Sequence, residues 1–442
     1  MARKNIYDKD IRYSFLRLAW TDGPIKGSFR KMEVKGIDKL PKDGAVILCP
    51  NHCNTLMDAL VILGSNYEPT VFGARADIFR KPLFAKALTF LRILPMVRQR
   101  DGIRNVLQNN KTQEVIVDTL EHGMKFCIFP EGTHRTKHSV QRLGKGAFRI
   151  ALAANEKFGQ EKPVYIAPVG IEYGDYFRFR NTVIANFGEA INVTEFIKNG
   201  NFESEPHIIE GLRVELEKRM SELITYIKVD ENYEAKWTLT KMCALRKSHK
   251  CYGDCCTKLY DSMLKNREIV KGIEDTMEKK PEQMAEILER VSNFEAKRKK
   301  AGVSIFSFRK MKPAFNAVGK GIAALLGLPY FIYSAITTLP MWAVAAKIRS
   351  GVKDPAFGNT VSFALKLALG PVLFTLYTIL AFCLAPWWLA IILILLYLPA
   401  YGYFHDYLEG CRRWFSDIRL LGNKGLYKEF KHIVKDYLNL QK

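Results

Sequence analysis

The stretch Pro50-Asn51-His52-Cys53-Asn54-Thr55-Leu56-Met57-Asp58 places a base and a carboxylate where an apolar, strand-like run gives way to a helical pattern. A histidine in such a turn can project into a cleft. A carboxylate near it can fix its tautomer and stabilise the imidazolium that forms on proton uptake. An alcohol nucleophile requires that general-base arrangement, so His52 and Asp58 are the candidate catalytic pair, with Asn54 as candidate N-cap of the helix. Taken alone, one His and one Asp at this spacing read more simply as a surface loop. Cys53 opens a second chemistry, direct acylation of a thiolate, although neighbours in a turn usually point apart. His138 is an alternative base, expected in a solvent-exposed loop.

A second constellation follows. A strand expected over 125–129 ends in Phe129-Pro130-Glu131-Gly132-Thr133-His134-Arg135, and Arg142-Leu143-Gly144-Lys145-Gly146-Ala147 leads into a helix. Glycines permit close backbone approach to a phosphate, a helix N-terminus favours an anion, and Arg135, Arg142 and Lys145 supply charge-assisted donors. The combination reads as a site for a phosphorylated acceptor. A solvated basic loop would explain any one of these residues but not their order.

The elements that must hold these residues are short β-rich runs alternating with helical patterns, an α/β arrangement. Candidate strands are 45–49, 70–73, 125–129, 164–169 and 182–187. Residues 8–20 form an expected amphipathic helix with Ile11, Phe15 and Leu18 on one face. From about 203 to 300 the pattern is charged and helical.

At this point the sequence resembles the glycerolipid acyltransferases, the family that includes glycerol-3-phosphate and lysophosphatidic acid acyltransferases. Four matches occur in that family's order. They are Asn51-His52 through Asp58, then Ile93-Leu94-Pro95-Met96-Val97-Arg98, Phe129-Pro130-Glu131-Gly132-Thr133, and Val164-Tyr165-Ile166-Ala167-Pro168-Val169. The resemblance covers roughly residues 30–225. It implies a mixed sheet flanked by helices, with His52 taking the proton of the acceptor hydroxyl as it attacks an acyl thioester and Asp58 orienting the imidazole. It implies further that Arg98 binds the acceptor phosphate, that Glu131, Gly132 and Thr133 shape the acceptor site, and that the strand carrying Pro168 lines the acyl channel. No covalent acyl-enzyme and no cofactor is implied, the thioester of coenzyme A or acyl carrier protein being a co-substrate. There are two departures. Five residues separate His52 from Asp58 where four are usual, which predicts Asn51 to Cys53 in a loop and Asp58 in the helix, and His134 stands where many members have arginine, with Arg135 next to it.

Composition bounds the partners. The chain of 442 residues carries 67 Lys plus Arg against 45 Asp plus Glu, a net charge of +22, which favours anionic partners. Residues 1–250 hold 40 basic and 29 acidic residues, a diffuse excess that suits an anionic thioester carrier. Residues 297–320 hold eight basic residues and no acidic one, and abut an apolar stretch, which points to lipid headgroups rather than nucleic acid. From Gly321 to Ala346 no charge occurs over 26 positions, and from Leu367 to Phe404 none over 38, against roughly 20 for one helical span. The second stretch fits a hairpin turning at Pro386-Trp387-Trp388. The first, interrupted by Pro329 and Pro340, reads as a kinked span, a re-entrant segment or an interfacial helix.

The N-terminus carries no apolar signal region and every membrane flank is basic, so the expected product is an integral membrane protein with its catalytic domain on the cytoplasmic face. The nine cysteines then belong to a reducing compartment. Cys243, Cys251, Cys255, Cys256 and His249 fit no ordinary zinc spacing, so no metal is expected. The expected domains are 1–225, an α/β acyltransferase domain with an N-terminal amphipathic helix; 226–312, a charged helical linker region; and 313–442, membrane segments with a basic C-terminal tail. The leading function is acyl transfer to glycerol 3-phosphate or lysophosphatidate in phospholipid biosynthesis. The alternatives are acylation of another lysolipid or an amino-acid lipid, transacylation between phospholipids, and a non-catalytic membrane-surface binding protein.

Overall fold

Apolar β-branched runs that are buried on both faces belong in the interior of a sheet. The computed structural model, which describes residues 5–66, 68–96, 106–247, 258–309 and 313–441, places them there. Eight strands are seen among the described residues: β1 Lys31–Lys35, β2 Ala45–Pro50, β3 Thr70–Arg75, β4 Ile93–Met96, β5 Lys125–Cys127, β6 Val164–Tyr173, β7 Thr182–Phe187 and β8 Ile191–Asn192. They pair in the order β1-β7-β6-β2-β5-β3-β4, with β8 added on β6. The β2 pairings with β5 and β6, and the β3 pairings with β4 and β5, are parallel, whereas β8 runs antiparallel to β6. The sheet is therefore mixed, as the motif resemblance implied. Every residue of β2 and β7 is buried.

Internal packing divides the chain into two units, one of Met1–Lys26, Met32–Glu172 and Val183–Ile224, the other of Gly27–Lys31, Tyr173–Thr182 and Thr225–Lys442. In the first unit the sheet is flanked by helices: α1 Ile11–Leu16, α2 beginning at Gly23 and ending at Ser28, α3 Thr55–Ser65, α4 Pro82–Phe90, α5 Val106–Glu121, α6 Gly146–Phe158, α7 Val193–Asn199 and α8 Glu205–Glu222. The amphipathic helix expected over 8–20 is shorter, because α1 passes at Arg17 into a π-helical turn that runs to Asp22. Its face is as anticipated, with Ile11, Phe15 and Leu18 at 87%, 72% and 75% exposure.

The second unit is helical: α9 Tyr233–Lys247, α10 Leu259–Lys279, α11 Pro281–Lys300, α12 Pro313–Thr337, α13 Leu339–Gly351, α14 Phe357–Leu384, α15 Trp387–Gly422 and α16 Lys424–Leu440. Charged outside, α9 to α11 meet α16 around a shared core that includes Met242, Ile273, Phe294, Phe430 and Tyr437. The C-terminal segment thus closes this bundle with its apolar face.

Among the described residues, three helices are long and apolar enough to cross a membrane: Ala314–Thr337, Phe357–Leu384 and Trp387–Gly422. Leu326 and Leu384, at 78% and 82% exposure, show how much of their apolar surface faces outward. α14 and α15 part at Ala385 and Pro386, where the hairpin turn was expected. Pro329 does not interrupt the preceding stretch: α12 runs through it, and the break falls at Thr338, with Pro340 in the first turn of α13. A proline at the start of a helix costs no hydrogen bond, since that N–H has no helical partner.

Four tyrosine hydroxyls tie α12 to α15. Tyr330 and Tyr333 donate to the carbonyls of Leu396 and Leu393, both at 2.7 Å, and Tyr403 and Tyr407 reach back to those of Gly327 and Ala324, at 3.1 and 2.8 Å. In an apolar solvent a bond of this kind contributes on average about 0.6 kcal/mol. Changing all four to Phe should therefore lower stability in detergent by about 2 kcal/mol without changing helix content. An unchanged melting temperature would show that apolar packing alone holds the pair.

Candidate active site

The loop after β2 is held from beneath. Asn51 is buried and its amide forms an extra rung with β6, donating Nδ2 to the Ile171 carbonyl at 3.1 Å while its Oδ1 accepts the Ile171 N–H at 2.6 Å. Residues 51–54 are loop and Asp58 lies in the first turn of α3, as the spacing predicted. The helix start is strained. Thr55 has φ 47°, a left-handed conformation that a β-branched side chain rarely adopts, at a cost on the order of 1–3 kcal/mol. That turn, with Asn54 at φ −146° and ψ 54°, accommodates the five residues between His52 and Asp58. Asn54 occupies the N-cap position but makes no side-chain cap bond. The Asp58 carboxylate instead reaches back from the first turn to the N–H groups of Cys53 and Asn54, ahead of the helix.

Asp58 is fully buried. Its Oδ2 accepts the backbone N–H of Cys53 at 2.8 Å and of Asn54 at 2.7 Å, and lies 2.7 Å from His52 Nδ1. Main-chain donors thus fix the carboxylate before the histidine meets it. A proton on His52 Nδ1 is shared with Asp58, which leaves Nε2 with its lone pair for a substrate proton. The His52 side chain keeps 18% of its surface exposed. Its ring stacks on Phe129 at 4.4 Å between centroids and has His134 edge-on at 5.7 Å.

The loop after β5 is latched onto this pair. Arg135 donates its N–H to the His52 carbonyl at 3.0 Å, and the His52 N–H reaches Glu131 Oε1 at 3.4 Å. Pro130 and Glu131 form the middle of a turn closed by Gly132 N–H on the Phe129 carbonyl at 3.1 Å, and Gly132, at φ 67°, takes the left-handed backbone that glycine tolerates. Gln141, which the sequence reading did not single out, donates Nε2 both to Glu131 Oε2 and to the Thr133 carbonyl, each at 2.7 Å.

The candidate residues do not all gather at one point. His52, Asp58 and Glu131 are brought together, with the main chain of Arg135. The Arg135 side chain turns to Ser139 Oγ at 2.7 Å, Gly132 and Thr133 are exposed, and exposed Lys145, at the N-cap of α6, lies with Arg142 near Glu210. Pro168 is buried in mid-sheet beside Gly188. Arg98 lies outside the described residues, as do His249, Cys251, Cys255 and Cys256. His138 is not the exposed loop residue the sequence suggested: it is buried, with Nδ1 3.9 Å from Glu172 Oε1, because its loop folds inward. Cys53 is buried too, its Sγ between Asp58 Oδ1 and the Ile171 carbonyl, and burial, with Asp58 and Glu131 adding, pushes its thiol well up. A thiol that resists ionisation in this way is a poor nucleophile.

Burial pushes the Glu131 carboxyl up to about 7, against smaller opposing effects of Gln141 and the His52 N–H. With the folded value above the ordinary 4.5, the stabilising contribution is complete below about pH 4.5 and is lost as pH rises through about 7. Wild type should therefore lose about 2–3 kcal/mol from this group between about pH 5 and pH 8, and Glu131→Gln should not. Melting temperatures of the two proteins would diverge in the variant's favour as pH rises. A constant difference across that range would rule the shift out.

Residues 31–172 match the model of the acyltransferase family. Among solved structures the chain is similar to the crystal structure of the 1-acyl-sn-glycerophosphate (LPA) acyltransferase PlsC from Thermotoga maritima, at 20% identity and a TM-score of 0.35, over 49% of this chain and 83% of that one. No curated protein matches the sequence. The family match spans all four motifs entire, so the resemblance drawn from them is matched by the acyltransferase family model over this part of the chain.

Proposed function

We propose that this acyltransferase moves a fatty acyl group from a coenzyme A or acyl carrier protein thioester to a hydroxyl of glycerol 3-phosphate or lysophosphatidate, making phospholipid precursors at a membrane. The observation that carries the reading is the 2.7 Å contact between His52 Nδ1 and a main-chain-anchored Asp58. His52 Nε2 takes the proton from the acceptor hydroxyl while its oxygen bonds to the thioester carbonyl carbon. The tetrahedral centre then collapses, the C–S bond breaks, and His52 returns the proton to the departing thiolate. Asp58 stabilises the imidazolium in between. Within this reading Arg98, with Arg135 and Lys145, meets the acceptor phosphate, and Glu131, Gly132 and Thr133 bound the acceptor site.

Helices α12, α14 and α15 are the anchor in this reading, and their basic flanks support a catalytic domain on the cytoplasmic side. Because His134 stands where the family usually has arginine, other lysolipids and amino-acid lipids belong among the acceptors tested. Purified protein in detergent, given palmitoyl thioesters of both carriers with glycerol 3-phosphate, lysophosphatidate and these other acceptors, should acylate one of the first two fastest. Preference for another acceptor would reassign the substrate, and no transfer to any would contradict the enzyme reading.

A further inference from the structure

A cluster of cations in the second unit has no part in this chemistry. Arg30 and Arg180 both bond the Asp406 carboxylate, at 2.9 and 3.0 Å, and Arg178 and Arg413 both bond that of Glu409, at 2.9 and 2.7 Å. Arg178 also approaches Asp175 at 3.6 Å. Two further cations come from α14 and α13: Lys366 Nζ covers Gly27, where a Cβ would come within 2.5 Å of it, beside the carbonyl that Arg180 binds, and the Arg349 guanidinium covers Gly358 on α14, where a Cβ would come within 2.8 Å of Nε. Four arginines thus share three carboxylates, with Arg349 and Lys366 as further positive charges nearby.

The cluster is built rather than incidental. Arg180 has φ 61°, a strained backbone for a non-glycine residue at the tip between β6 and β7. The Nη1 of Arg180 bonds the Gly27 carbonyl at 3.1 Å, and its guanidinium covers Gly402, where a Cβ would come within 3.1 Å of Nη1. Strain and a glycine together aim one guanidinium at α15. Even so, two buried nitrogens, Arg180 Nε and His405 Nε2, have no hydrogen-bond partner among the described residues. Buried donors are ordinarily satisfied, and excess positive charge beside them calls for an anion.

Depth identifies the anion's source. Lys366 directly precedes the uncharged run and His405 directly follows it, and the helix between each and the turn at Pro386 rises about 28 Å, one hydrocarbon thickness. With α14 and α15 spanning the bilayer, the cluster falls at headgroup level on the side away from Trp387 and Trp388.

We propose that Arg30, Arg178, Arg180, Arg349, Lys366 and His405 form a binding site for the phosphate of an anionic phospholipid headgroup, separate from acyl transfer. It rests on α14 and α15 crossing the membrane, and not on which acceptor the enzyme uses. The full-length protein in detergent, titrated with phosphatidylglycerol or diacylglycerol and read by native mass spectrometry, tests it. Wild type should prefer phosphatidylglycerol by at least about tenfold. Arg349→Gln and Arg180→Gln should each lose most of that preference, and millimolar inorganic phosphate should not displace the lipid. Arg349 is exposed, so its variant should keep the wild-type melting temperature even where Arg180→Gln unfolds. Equal binding of the two lipids by wild type would overturn the proposal, as would an unaltered preference in Arg349→Gln. Displacement by inorganic phosphate would do so too, since the site would then take a free anion.

Discussion

Asp58→Asn should lower the turnover number about 10²–10⁴-fold while leaving KM close to wild type. The reason lies in which donors already occupy the carboxylate. Cys53 and Asn54 both direct their N–H at Oδ2, the oxygen that also meets His52 Nδ1, so an asparagine keeps its oxygen there and places its amide nitrogen at the Oδ1 position beside Cys53 Sγ. That oxygen still accepts the Nδ1 proton but carries no charge. The imidazolium that forms on proton uptake from the alcohol then loses the carboxylate that stabilised it. The variant should fold, because the two main-chain donors keep an acceptor. Asp58→Ala removes that acceptor and should cost about 3–5 kcal/mol of stability as well as activity, as loss of a buried charged partner usually does. A folded Asp58→Asn protein with wild-type turnover would take Asp58 out of the mechanism and leave it a structural anchor of α3.

Much of this was legible in the residues themselves. The strands with long apolar runs, β2, β6 and β7, lie in the body of the sheet, and burial on both faces is what writes such runs. The strands that went unread are instead β1, β4 and β8. The first two lie at the ends of the strand order. Lys31 and Lys35 in β1 and Pro95 in β4 are the residues edge strands carry to avoid further pairing, and they hide the strand from a reading based on propensity. Pairing with neighbours far along the chain, not local preference, makes them strands.

The site shows the same division. His52 and Asp58 could be read from type and spacing because both act within one short turn. Asn51 acts across the fold on Ile171, 120 positions away, and Gln141 on Glu131, 10 positions back across a loop, and no local signal marks either side chain. His138 was misplaced for that reason also: a basic loop with Thr136, Lys137 and Ser139 around it looks solvated, whereas the Arg135 bonds to His52 and Ser139 turn it inward. Pro329 misled because proline is weighed as a breaker in water. Within a long apolar helix the neighbouring backbone adjusts and the helix continues.

The extra residue before Asp58 gives the site its own character. Its strain is local to Thr55, while the Asp58 contacts remain short. The loop therefore carries the deviation and the pair keeps its geometry.

The most direct test compares wild type with His52→Ala in acyl transfer from a palmitoyl thioester to the best acceptor, each protein checked for an unchanged melting temperature. Loss of the base should slow transfer about 10²–10⁴-fold, with thioester binding intact because His52 acts on the acceptor hydroxyl. Transfer at the wild-type rate by folded His52→Ala would contradict the account at its centre.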